Sequence, residues 1–111
     1  MNLSKRRFLK AGAGVAGFQD HQGQRVWSQL RIGQSLILQR EADNPYDGKA
    51  VMVLWNGRKL GYVPRASNVA VSQMLDRGQN LRARIARLKD SSNPWERIQV
   101  DILMETRPGR A

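Results

Sequence analysis

The chain has 111 residues, enough for one modest hydrophobic core and not two, so a single domain is expected. Nineteen Lys and Arg against nine Asp and Glu give a formal net charge of +10, which favours polyanionic partners such as nucleic acid or anionic lipid. The lack of cysteine excludes disulfides and thiolate-held zinc, His21 as the single histidine cannot form a metal-binding His cluster, and no apolar run approaches the roughly 20 residues of a membrane-spanning helix.

Ser4-Lys5-Arg6-Arg7-Phe8-Leu9-Lys10 resembles a twin-arginine export motif with Lys5 in place of the first arginine. The apolar stretch that follows, Ala11 to Phe18, is short and weak for a signal. Residues 1–14 are therefore expected to be a basic arm or a degenerate export signal, and localisation is cytoplasmic, or exported if that signal works. A domain over 15–105 and a tail over 106–111 complete the expected organisation.

Val15 to Gln19 reads as a short strand and Arg25 to Leu30 as a turn of helix ending before Gly33. Ser35–Arg40 and Ala50–Trp55 are short apolar runs bounded by polar and Gly/Pro/Asn/Asp clusters, the pattern of buried strands. Asn56-Gly57 signals a type I′ turn, which needs positive φ at both central residues, and predicts an antiparallel hairpin from Val51–Trp55 to Lys59–Val63. Over Pro64–Asp76 the spacing of Val69, Val71, Met74 and Leu75 predicts an amphipathic helix with Gly78 as its stop. Leu81–Leu88 and Ile98–Leu103 alternate apolar and polar residues, as strands with one wet face do, leaving Arg82, Arg84 and Arg87 solvated. The expected fold is mainly β, a small six-stranded barrel of the OB-like or SH3-like kind with one main helix.

Arg40-Glu-Ala-Asp-Asn-Pro-Tyr-Asp47, running into Gly48-Lys-Ala-Val51, and Gly61-Tyr-Val-Pro-Arg65 beyond the hairpin resemble the core motif of the HIRAN family. The resemblance extends from Val15-Ala-Gly-Phe18 through Leu36 and Leu38 to the Asn93-Pro94-Trp95 turn. Members of that family are modified OB-like barrels, found alone in bacteria or fused to helicase-type ATPases, where the domain grips the 3′-hydroxyl end of single-stranded DNA. By this resemblance Tyr46 stacks on a terminal base, Asp47 accepts a hydrogen bond from the 3′-hydroxyl, Tyr62 and Arg65 contact base or phosphate, and Trp95 packs near a base. Gln19 and His21 stand where fused relatives carry groups that clasp the terminal nucleotides, and Asp20 places a negative charge there.

The chemistry suits these roles: aromatic faces accept any base, and basic groups neutralise the backbone. A carboxylate such as Asp47 repels phosphate but accepts a hydrogen bond from a hydroxyl. Each residue also has a purely structural reading. Asn44-Pro45-Tyr46-Asp47 is a good turn sequence in which Asp47 bonds its own backbone and Tyr46 lids the core, and tryptophans are more often core than ligand platform.

No Gly-rich Lys-Ser/Thr phosphate loop is present, and Pro45 and Leu54 occupy positions where a calcium loop starting at Asp43 needs ligands. One histidine must serve every nucleophile scheme, and no activated nucleophile stands near it. The expectation is a non-enzymatic module without metal or cofactor that binds single-stranded DNA at a 3′ end, with other nucleic acid or a protein as further possible partners. The alternative is an exported or envelope protein-interaction module that keeps the fold without binding DNA ends.

Overall fold

The computed structural model describes residues 5–93 and 96–106. In chain order these form β1 (Lys5–Gly14), a 3-10 turn at Phe18–Asp20, α1 (Gly23–Val26) continued by a second 3-10 turn at Trp27–Gln29, β2 (Ser35–Arg40), β3 (Val51–Trp55), β4 (Arg58–Tyr62), α2 (Arg65–Asp76), β5 (Leu81–Leu88) and β6 (Ile98–Thr106). The six strands make one antiparallel sheet in the order β1-β6-β5-β2-β3-β4. The ends of that sheet meet at one place, where Ala16 and Tyr62 exchange backbone hydrogen bonds of 2.8 and 2.9 Å. The mainly β fold with one long helix is as expected, but the sheet is not closed into a barrel: β1 and β4 share no ladder, and only this isolated bridge joins the two ends.

Gly61 permits this contact. A Cβ at this position would collide with the carbonyl oxygen of Ala16 and press on the Val15 side chain, so the two backbones approach only across a residue without one. The β3–β4 hairpin turns at Asn56 (φ 47°) and Gly57 (φ 77°), both positive as a type I′ turn requires.

Inside the sheet lie Val15, Phe18, Val26, Leu30, Leu36, Val51, Val53, Leu60, Ile85, Ile98, Val100 and Ile102, with Val71 of α2 against them. Phe18 is fully buried and meets Trp27 edge-on at 6.0 Å, while Trp55 is buried and Trp27 half-buried.

Three local readings need correction. Residues 5–14, expected as an arm or signal, form the edge strand β1 along β6, with Leu9 packed against the core and Ala13 buried. Register shifts after Phe8 and after Lys10 break the two-residue alternation, so the charged run hides its inward positions. The strand expected at Val15–Gln19 shrinks to the Ala16 bridge, because Gly17 at φ 72° turns the chain into the Phe18–Asp20 turn. On α2, Val69 is exposed, and the inward face is Asn68, Val71 and Ser72 with Leu75 beside them. On β5, Arg82 and Arg87 are exposed as expected. Arg84 is half-buried, and Arg82 and Arg84 reach β6 carboxylates, Arg82 to Glu105 at 2.9 Å and Arg84 to Asp101 at 3.2 Å.

Candidate nucleic-acid interface

The loop from Arg40 to Ala50 is shaped by its own polar side chains. The Asn44 Oδ1 atom accepts hydrogen bonds from the backbone N–H groups of Tyr46 (2.8 Å) and Asp47 (3.0 Å), and Asp47 Oδ1 accepts one from Lys49 N–H at 2.9 Å. These are the Asx bonds expected of a turn sequence. Arg40 holds the loop from below, donating to the carbonyls of Ala50 and Gly48, each at 2.9 Å, and pairing with Asp76 at the end of α2 at 3.0 Å. The loop is thereby fixed to both the sheet and the helix.

So fixed, the loop projects Tyr46 outward with 86% of its surface exposed. The structural reading of Asp47 as a turn-former holds, whereas that of Tyr46 as a lid on the core does not. An exposed tyrosine on a rigid loop leaves both ring faces accessible.

Beside it is a cleft of about 240 Å³ lined by Tyr46, Asp47, Tyr62, Arg65, Asn44 and Asn68, with Ala16, Ala50 and Val63 as its apolar wall. Four of the residues singled out from sequence, Tyr46, Asp47, Tyr62 and Arg65, thus meet in one cavity. Asp47 Oδ2 accepts a hydrogen bond from Asn68 Nδ2 at 2.7 Å and lies 3.7 Å from Arg65 Nε. The Lys49 backbone N–H, then the Asn68 amide and the Arg65 charge, hold the Asp47 carboxyl below the usual carboxylate range against its partial desolvation. At neutral pH the cleft therefore contains an ionised, acceptor-only group. Arg65 also donates to the Tyr46 carbonyl at 3.2 Å, yet its side chain stays largely exposed.

Tyr62 contributes its ring, not its hydroxyl. That hydroxyl donates to Glu41 Oε1 at 2.6 Å and accepts from Lys59 Nζ, and Asn44 Nδ2 donates to the same Glu41 oxygen at 2.7 Å. The Tyr62 bond, then the Asn44 bond, lower the Glu41 carboxyl despite desolvation. Burial pulls the Lys59 ammonium down, but Tyr62 and Glu41 more than offset it and leave its value raised. His21 meets the Tyr62 ring edge-on at 5.6 Å, and its imidazole is lowered by burial and by Lys59, which favours the neutral form.

Gln19 is exposed on the Phe18–Asp20 turn and does not line the cleft, and Trp95 lies outside the described residues. Asn44 and Asn68 were missed. Their signals were the Asx position of Asn44 and, for Asn68, a polar residue one turn before Val71 and Ser72 on the inward face of a helix. Among the described residues no group of three potential metal ligands comes together, and no helix is long and apolar enough to cross a membrane.

Comparison with known proteins places this geometry. The model of the HIRAN domain family matches residues 10–107. A crystal structure of a protein from Lactobacillus plantarum is similar, with a TM-score of 0.74 and 26% identity over 92% of this chain and 97% of that one. The HIRAN domain of human HLTF is similar in fold, with a TM-score of 0.68 and 20% identity over 94% of this chain and 76% of that one. No curated protein matches the chain. With the family model spanning nearly the whole sequence and the fold shared with a solved HIRAN domain, the chain belongs to the HIRAN domain family, whose members are generally DNA-binding modules.

Proposed function

We propose that the protein binds single-stranded DNA and captures a free 3′-hydroxyl end in the cleft between the Arg40–Ala50 loop and α2. The observation that carries this reading is the pairing of an ionised, half-buried Asp47 with an 86% exposed Tyr46 on the rim of one cavity. A terminal hydroxyl donates to the carboxylate, the terminal base stacks on Tyr46, and Arg65 balances the nearest phosphate. A 3′-phosphate brings like charge to Asp47 and is disfavoured. Tyr62 supplies an aromatic wall for the base, His21 meets that ring edge-on without lining the cleft, and the net charge of +10 steers the strand to the protein. The interaction is non-enzymatic.

Fluorescence anisotropy with short strands ending in 3′-hydroxyl, in 3′-phosphate, or with the 3′ end blocked tests the reading. The hydroxyl strand should bind most tightly, and Asp47→Ala should erase that order. Equal binding of all three ends by the unaltered protein would leave only nonspecific charge attraction.

A further inference from the structure

Asn68 is 3% exposed, the most buried polar group in the wall of the cleft, and its amide points at Asp47. An ionised carboxylate only accepts hydrogen bonds, so the Asn68 group facing Asp47 must be its NH2, and the flip of this amide is settled by chemistry. The two oxygens of Asp47 are then tied from different elements, Oδ1 by the Lys49 N–H of its own loop at 2.9 Å and Oδ2 by α2 through Asn68 at 2.7 Å. Arg65, at 3.7 Å and with its side chain 75% exposed, adds only a long, solvent-screened ion pair to the carboxylate.

We propose that Asn68 is a positioning and specificity-determining residue: it locks the Asp47 carboxylate towards the cleft, so that the site selects strand ends bearing a hydroxyl donor over ends bearing phosphate. The inference rests on the reading that DNA ends enter this cleft, and adds to it the group that makes the carboxylate selective. Without the Asn68 amide, Oδ2 keeps only its exposed ion pair with Arg65, and the carboxylate is free to rotate about its side chain. The acceptor would then turn away from the ligand, and the selectivity between ends would fall while stacking on Tyr46 persisted.

The test compares the unaltered protein with Asn68→Ala, Asn68→Ser and Tyr46→Ala, measuring affinity for 3′-hydroxyl and 3′-phosphate strands at pH 7. Carbon-detected NMR titration of the Asp47 carboxyl without DNA supplies the second readout. Asn68→Ala should shrink the hydroxyl-over-phosphate ratio about tenfold or more and raise the Asp47 titration midpoint. Asn68→Ser, which keeps a short donor, should restore part of both. Tyr46→Ala should weaken both strands and leave the ratio unchanged.

A preserved ratio in a folded Asn68→Ala protein overturns the inference even if the unaltered protein prefers hydroxyl ends. Absence of any preference in the unaltered protein overturns the reading of the cleft itself, a distinguishable result. If Asn68→Ala does not fold, Asn68→Leu, which fills similar space without a donor, decides: an unchanged Asp47 midpoint and ratio in that variant contradict the proposal.

Discussion

Tyr46 and Tyr62 are both tyrosines of the same cleft, and their surroundings assign them different work. Tyr46 makes no side-chain hydrogen bond among the described residues and is 86% exposed, so its removal should not affect folding. Tyr46→Ala is expected to leave the thermal midpoint within error of the unaltered protein and to weaken single-strand binding by about 1–3 kcal/mol, roughly 5- to 150-fold. Tyr62 donates to Glu41 and accepts from Lys59, so Tyr62→Phe should cost stability instead. Glu41 has a lowered value in the folded protein, caused first by the Tyr62 bond and then by Asn44. A lowered carboxylate stabilises the fold above its unfolded value and loses that contribution as the pH falls through its folded value. The stability gap between Tyr62→Phe and the unaltered protein should therefore be present at pH 7 and close as the pH drops below about 4. Urea unfolding across this range checks it; a gap independent of pH would show that the hydroxyl matters only for packing.

The two ends of the sheet meet at one crossing, where Ala16 bridges Tyr62 over Gly61. Gly61→Ala forces a Cβ against a carbonyl oxygen that cannot move without opening the bridge, and should cost roughly 2–3 kcal/mol. Gly57→Ala, with open space around the same atom but φ at 77°, should cost only about 1 kcal/mol. Similar losses for the two in chemical denaturation would mean the crossing tolerates displacement.

The same contrast explains what could be read from sequence. The β3–β4 hairpin was legible because Asn-Gly turn chemistry is local, β2 because it is a short apolar run between polar clusters, and β5 and β6 because apolar and polar residues alternate along them. The strand β1 was not, since its bulges scramble the alternation and the partner that pairs with it, β6, lies at the other end of the chain. The inward face of α2 was misjudged at Val69 because its buried positions include two polar residues, Asn68, whose partner Asp47 comes from another element, and Ser72, which donates to the Val69 carbonyl of its own helix. Tyr46, Asp47, Tyr62 and Arg65 were found through motif resemblance. Asn44 shapes the loop through local Asx bonds that its turn sequence signals, whereas Asn68 supports the site through a bond across 21 residues that only the fold reveals.

At the scale of the whole molecule, β1 is one margin of the sheet and supplies Leu9 and Ala13 to the interior. Deleting residues 1–14 should expose the β6 edge, lower the thermal midpoint and promote self-association, whereas a detachable arm could be removed without loss. The net charge of +10 predicts a second global property. Affinity for single strands should fall as salt rises, with a slope near 0.7 per neutralised phosphate, while the ratio between hydroxyl and phosphate ends persists because it arises within the cleft. The exposed arginines Arg82 and Arg87 lie on β5, away from the cleft, and offer an alternative track for nonspecific binding. Entry of the strand end between the Arg40–Ala50 loop and α2 can be followed by NMR amide shift mapping with a short 3′-hydroxyl strand. The largest, saturable changes should fall at Tyr46, Asp47, Lys49, Tyr62, Arg65 and Asn68; changes confined to Arg82, Arg84 and Arg87 would place the strand elsewhere and overturn the proposed site.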